Sequence, residues 1–522
     1  VTEPGIAARL RARLHTPKPS VRRNVVANFV ATGWAAILGI VVVPLNVRFI
    51  GIEGYAVIGV YAMVQALSLL LDSGLSPTLN RELAQRSAAG YSASDTRTLV
   101  RTLEIVYWGV ALLVGLVVVG LAPVAARYWL HPERLSVSEV QRALMLMGLT
   151  IAIQWPASFY ASGVQGLQRQ VELSAGNVVM GTLRSVGGVL VLWLVSPTIG
   201  AFFIWQALVS ALWTGWLGWF LWRRLPAADG HRARFDASHL RRVWRFAAGV
   251  NGMALTGMAL SQSDKLILSH ILPLEQFGYY SLAATVASVF GRSAEPIGYA
   301  FFPRFSELHG RGEERQLVAT YHRACQLLSV VVLPAAVVLT LFSSEVLQLW
   351  THNPVIVTEA HWLLTLLVAA TAFNRLLNLP AALQLAYGWT SLTLWNNAVA
   401  IALLIPSLIA ATQQWGAIGA ASVLAILNLV YVLVHIPLMH RRIAVGEAKR
   451  WFLEDVAAPL LAAIAVAVPG TLVMRGTSSA LGTLLVLIAV SAGSLLAGAL
   501  SVPWLRETIA RVLSRSRFAA QT

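Results

Sequence analysis

The stretch KPSVRRNVVANFVATGWAAILGIVVVPLNVRFIGIEGYAVIGVYAMVQALSLLLDSGLSPTLNRELAQR, residues 18–86, decides the fold. Lys18, Arg22 and Arg23 precede an apolar run over 24–49; a turn follows, and Arg81 and Arg86 close a second run over 55–79. Each run is long enough to cross a bilayer. Arginine is concentrated at the two outer flanks, with only Arg48 beside the turn, which is the charge bias of a membrane hairpin with both ends in the cytoplasm. Composition carries this reading to the whole chain: 57% of 522 residues are hydrophobic, 12% are charged and the mean hydropathy is +0.68, which excludes a soluble domain.

Further apolar runs lie near 100–123, 141–163, 172–195, 198–222, 246–271, 276–302, 319–342, 361–385, 390–411, 416–439, 453–474 and 480–503, making fourteen expected spans in an all-α polytopic membrane protein. With the N-terminus inside, 30 of the 39 Lys and Arg fall in cytoplasmic loops and tails, and only Arg48, Arg127, Arg134 and Arg475 fall outside. Both termini are therefore expected in the cytoplasm of a bacterium, with the chain in its inner membrane. The net charge of +16 is explained by this topology and by anionic lipid headgroups, so no nucleic-acid partner is expected. The basic segment 1–23 has no small-residue cleavage site before the first span, which argues against a removed signal peptide. A single cysteine, Cys325, excludes an intramolecular disulfide and a Cys-based metal site. No Gly-Lys-Ser/Thr phosphate loop occurs, so a secondary carrier is expected rather than an ATPase, without a cofactor and driven, if at all, by a proton or sodium gradient.

The chain divides into a basic tail (1–23), a first lobe of six spans (24–222), a linker (223–245) with seven arginines, a second lobe (246–440), an extra helix pair (453–503) and a tail (504–522). GYAV at 54–57 recurs as GYYS at 278–281, Asn177 as Asn396, and IGA at 199–201 as IGA at 418–420. Two repeats of six spans enter the membrane from the same side, which predicts pseudo-symmetric lobes around a central cavity.

Five cations lie within or against spans, and charge at membrane depth is costly unless it faces a partner or a wet cavity. At 1.5 Å per residue, Arg184, Arg292 and Arg375 fall roughly 15–18 Å from the cytoplasmic ends of their spans, and Lys265 lies nearer the outside. These residues point to an anionic cargo. Arg292 is three residues from Glu295, so it reads equally as half of an intrahelical pair. Asp72 and Glu295 occupy equivalent repeat positions and, with Asp264, are candidates for ion coupling; Asp264 beside Lys265 also reads as a local counter-ion. Amides inside apolar spans, among them Asn28, Asn177, Asn251, Asn374 and Asn378, serve either helix packing or a polar cargo.

The segment 44–84 resembles the first helix pair of the bacterial polysaccharide flippases, the Wzx-type branch of the multidrug/oligosaccharidyl-lipid/polysaccharide (MOP) superfamily. The matching residues are Gly51, Glu53 and Tyr55, then Asp72, Gly74, Leu75 and Arg81. The segment 261–283 is similar to the same family in Asp264, Lys265, Gly278 and Tyr280. The resemblance implies flipping of undecaprenyl-diphosphate-linked oligosaccharide units for surface or exported polysaccharide, beside a glycan polymerase and export machinery. For such a cargo, depth and guanidinium chemistry point to Arg184, Arg292 and Arg375 for the diphosphate, with Lys265 nearer the outer side for its release, and the amides are candidates for sugar contacts. A multidrug or metabolite exporter of the same superfamily is the nearest alternative. A peptidoglycan-precursor flippase ranks lower, because the arginine cluster that those proteins carry in the first span reduces here to Arg48. A membrane-embedded glycan polymerase or ligase needs a long outside loop, and the longest here, 124–139 and 343–360, are short.

Overall fold

The computed structural model describes residues 21–72, 74–89, 92–226, 233–238, 257, 260–477, 479–508 and 511. Among these residues the chain is helical, with one isolated bridge between His131 and Pro273 and no strand. Lipid offers backbone groups no hydrogen-bond partner, so a chain of this hydropathy satisfies them within helices. Among the described residues ten helices are long and apolar enough to cross a membrane, and two of the helices, Val21–Asp72 and Ser391–Met439, each run through two expected spans across a break. The helix at 260–271 and the pair Leu274–Arg292 and Glu295–Gly310 supply the seventh and eighth spans, which brings the architecture to about fourteen.

Both breaks sit on glycine. Gly51 has φ 72° and ψ 174°, and Gly416 has φ 59° and ψ −145°, conformations in which a Cβ is strained. The turn at Gly51 presents Glu53, which is 2% exposed and accepts three backbone N–H groups, from Glu133 (2.8 Å), Arg134 (2.9 Å) and Leu135 (2.7 Å). Tyr55 bonds Thr285 at 2.9 Å. A carboxylate that collects three amide donors fixes the loop at 133–135 against the hairpin. Glu53→Ala orphans those donors and is expected to cost roughly 2–3 kcal/mol, read as a lower melting temperature in detergent; unchanged melting would remove Glu53 from the fold's support.

The described residues form two compact units, the first within 1–42, 71–120 and 145–251, the second within 43–70, 121–144 and 252–522. The first is built on an aromatic core in which Trp213 stacks on Trp216 (centroids 5.1 Å apart) and Trp216 on Phe220 (5.1 Å), with Tyr107, Phe159 and Tyr160 fully or almost fully buried beside them. In the second, the extra helices Ala458–Arg475 and Ala480–Ser501 pack on Glu314–Leu341 through Val337, Val338, Ala463, Ala467, Leu487 and Val490. Much of the remaining span surface is aliphatic and exposed, such as Leu112 (61%), Leu208 (55%) and Leu461 (64%), as lipid contact requires.

Candidate functional site

A cavity of about 560 Å³ opens inside the second unit. Three elements carry its polar groups at helical spacing. The segment 260–271 contributes Gln262, Asp264 and Lys265, and helix Pro354–Leu376 contributes Thr371, Asn374 and Arg375. Helix Ser391–Met439 contributes Thr393, Asn397, Ala400 and Leu404 before its break, and Leu424, Asn428, Tyr431 and His435 after it. Intervals of three and four place the sets at 371–375, 393–404 and 424–435 each on one face. Asn378 completes the wall from helix Asn378–Ala386.

Arg375 lies against the backbone of the neighbouring helix at Gly291. A Cβ at Gly291 would meet Arg375 Nε at 3.1 Å and Thr371 Cγ2 at 2.9 Å, so the glycine makes room for the guanidinium. Its Nε is buried without a hydrogen-bond partner among the described residues, and the charge of the exposed Glu295 acts on it. Asp264 is buried; one carboxylate oxygen accepts from Tyr280 OH, and the other, Oδ1, has no partner among the described residues. The lining charges are therefore two cations and one anion. The uncharged polar groups are amides, hydroxyls and one imidazole, set among aliphatic side chains such as Leu367, Leu404 and Leu427: Asn374 donates to Asn428 (3.1 Å), Tyr431 OH to Asn397 (3.0 Å), and both ring nitrogens of His435 face amides, Asn396 and Gln384. A neutral imidazole has one donor and one acceptor, so one of those amides turns its oxygen to the ring. Such a cavity suits a ligand that is anionic at one point and rich in hydroxyl groups elsewhere.

Of the sequence-derived candidates, Arg375, Lys265, Asp264, Asn374 and Asn378 come together in this cavity. Arg292 and Glu295 do not line it and are both exposed. The intrahelical pairing considered for them fails on geometry: Arg292 ends helix Leu274–Arg292, Glu295 begins the next, and Ser293 and Ala294 turn the chain ahead of Pro296. The environments of Asp72 and Glu295 also differ, since Asp72 is 7% exposed and held by hydroxyls. Asp72 belongs to the first unit, where it accepts from Ser76 Oγ (2.6 Å) and from Tyr107 OH. Arg184 is in the same unit and donates to the buried Ser210 (3.3 Å). Asn28 and Asn177 are exposed on that unit, and Asn251 lies outside the described residues. The sequence reading missed Asn428, Tyr431 and His435, whose only signal is the recurrence of polar groups at 428, 431 and 435 within an apolar run. Among the described residues no three His, Cys, Asp or Glu gather as a metal site.

The solved structures with this fold are transporters. A structure of the lipid II flippase MurJ in an inward closed conformation matches 93% of this chain and 99% of its own, with TM-score 0.71 and 12% identity. An inward-facing multidrug resistance MATE family transporter of the MOP superfamily matches 80% of this chain and 95% of its own, with TM-score 0.59 and 13% identity. The chain shares the fold of these transporters and is a multi-pass membrane protein. More closely, the chain belongs to the polysaccharide biosynthesis protein family, whose model matches residues 21–309, while the MatE model matches residues 253–410. A putative O-antigen transporter of Shigella flexneri is 23% identical over 181 residues, which is 35% of this chain; the chain spans about two-fifths (42%) of that relative's length.

Proposed function

We propose that this protein flips undecaprenyl-diphosphate-linked oligosaccharide units across the bacterial inner membrane by alternating access, for surface or exported polysaccharide. The observation that carries the reading is the second-unit cavity, where Arg375 and Lys265 stand beside a wall of amides and hydroxyls in a chain of the polysaccharide biosynthesis family. Guanidinium and ammonium suit the diphosphate. Asn374, Asn378 and Asn397 suit sugar hydroxyls, and the prenyl tail stays in lipid. Arg184, in the first unit, is a third candidate cation for the cargo. Asp264, with one buried oxygen open, and Asp72 are the sites for a coupling proton or sodium ion. Both termini lie in the cytoplasm, and the carrier works beside a glycan polymerase and export machinery. A cationic-drug exporter is disfavoured, because a cavity with two cations to one anion repels its cargo.

The test deletes the gene in its host and follows radiolabelled lipid-linked oligosaccharide together with surface glycan. Expected is accumulation of the undecaprenyl-linked unit with loss of surface polymer, restored by the wild-type gene. Normal glycan with heightened sensitivity to cationic drugs would replace this reading with a multidrug exporter.

A further inference from the structure

The first unit carries a second cavity, of about 450 Å³, which the cargo pathway proposed above does not use. It lies between helices Ala93–Val124 and Ile199–Arg224, with Ile153 and Tyr160 at its back. Two stripes of exposed residues border it: Arg101, Ile105, Trp108 and Leu112 on the first helix, and Leu208, Leu212, Gly215, Trp219 and Arg223 on the second. Gly215 has open space where a side chain would be, so the aromatic ridges stand over a furrow rather than a flush surface.

The polar hydrogens of these walls turn inward. Tyr160 OH (2.6 Å) and Trp222 Nε1 (3.0 Å) both donate to Oε1 of the buried Glu104, Arg101 donates to Oε2 (2.7 Å), and Trp108 Nε1 donates to Tyr160 OH (3.0 Å). With these groups consumed, the surface left to the furrow is mainly carbon. One end has the opposite character. Arg223 sits 4.6 Å from the Trp219 ring, Arg97 6.0 Å from Trp222 and Arg224 5.1 Å from Phe220, and Arg97 also donates to Pro226 O (2.7 Å). Cation–π contact holds these guanidiniums at the rim while leaving N–H groups for a ligand. The carboxylates close by are already engaged: Glu104 as described, and Asp236 by the Ser238 N–H (2.8 Å).

We infer that this furrow binds an anionic phospholipid, its phosphate on Arg97 and Arg223 and one acyl chain against Trp108, Gly215 and Trp219. The volume is comparable with a single acyl chain, and the rim is cationic where the furrow is apolar, which matches a lipid with an anionic head. The site is separate from the cavity of Arg375, and its failure leaves the flippase reading untouched.

The test is native mass spectrometry of the full chain from detergent, with phosphatidylglycerol or phosphatidylcholine added. Wild type is expected to retain phosphatidylglycerol preferentially. Arg97→Gln and Arg223→Gln each lower that preference about fivefold, the effect of one cation near an anionic headgroup. Gly215→Leu and Gly215→Trp fill open space, so they keep wild-type melting while retention of both lipids falls. Equal retention of the two lipids by wild type, retention unchanged in both Gly215 variants, or undecaprenyl diphosphate held in place of phosphatidylglycerol would each overturn the assignment.

Discussion

Arg375→Ala abolishes export of the lipid-linked glycan while protein level and melting temperature stay near wild type. The guanidinium is the cavity's planar, permanently charged donor, its Nε has no protein partner among the described residues, and Gly291 keeps the space in which it lies. Removing it takes away a charge-assisted contact worth about 2–5 kcal/mol where water is scarce, at least a thirtyfold loss of headgroup affinity. Arg375→Lys retains the charge without the fork and is expected to fall between the two. Gly291→Val displaces the side chain without removing it and should reproduce part of the defect. The assay is accumulation of lipid-linked oligosaccharide against surface glycan in cells that express each variant at equal level. Arg184→Ala is expected to give the same loss from the first unit. Wild-type export from both alanine variants would remove the arginines from the cargo path.

The reason Arg375 was legible in sequence also explains what was not. A charge or amide within an apolar span costs several kilocalories unless it is paired, so such positions stand out, and Lys265, Asp264, Asn374 and Asn378 were found on that ground. Which of them share a cavity was not readable. A span surrounded by lipid is apolar on every side, and helix Ser391–Met439 gives little facial contrast to place Asn428 or His435. For Arg292 and Glu295 a spacing of three left both a pair and a cargo site open, since sequence does not show that one helix ends at Arg292 and the next begins at Glu295. Long-range partners were equally hidden: Glu53 meets amides 80 residues away, and Asp72 meets Tyr107 at a separation of 35. The hydropathy of the spans needs no such partner knowledge, so the helix count was recovered while the site was only sketched.

The second large effect concerns the extra helix pair, which lies outside the six-span repeats and is held to its neighbour differently at each end. Toward Met474 and Leu487 the contact is apolar. At the other end it is polar. Asp455, fully buried in the π-helical segment Trp451–Ala457, meets His322 Nδ1 at 2.6 Å and accepts from Gln326 at 2.9 Å, while His322 Nε2 lies 3.1 Å from Glu447. Trp504, in the helical segment 503–508 that follows Ala480–Ser501, donates to Gln326 at 2.8 Å, so both extra helices are tied to Glu314–Leu341 through one network. The wider turn of a π-helix is a frequent means of aiming one side chain, and here it brings Asp455 to the histidine. Asp455→Ala leaves His322 and Gln326 without their acceptor and is expected to cost about 3–5 kcal/mol, the usual penalty for breaking a buried pair on one side. The double variant Asp455→Leu/His322→Leu removes both members and should recover much of that loss. Melting in detergent measures the cost, and trypsin cleavage at the exposed Arg441 and Arg442 measures detachment of the pair. An Asp455→Ala protein that melts and resists trypsin like wild type would mean that apolar packing alone holds the extra helices.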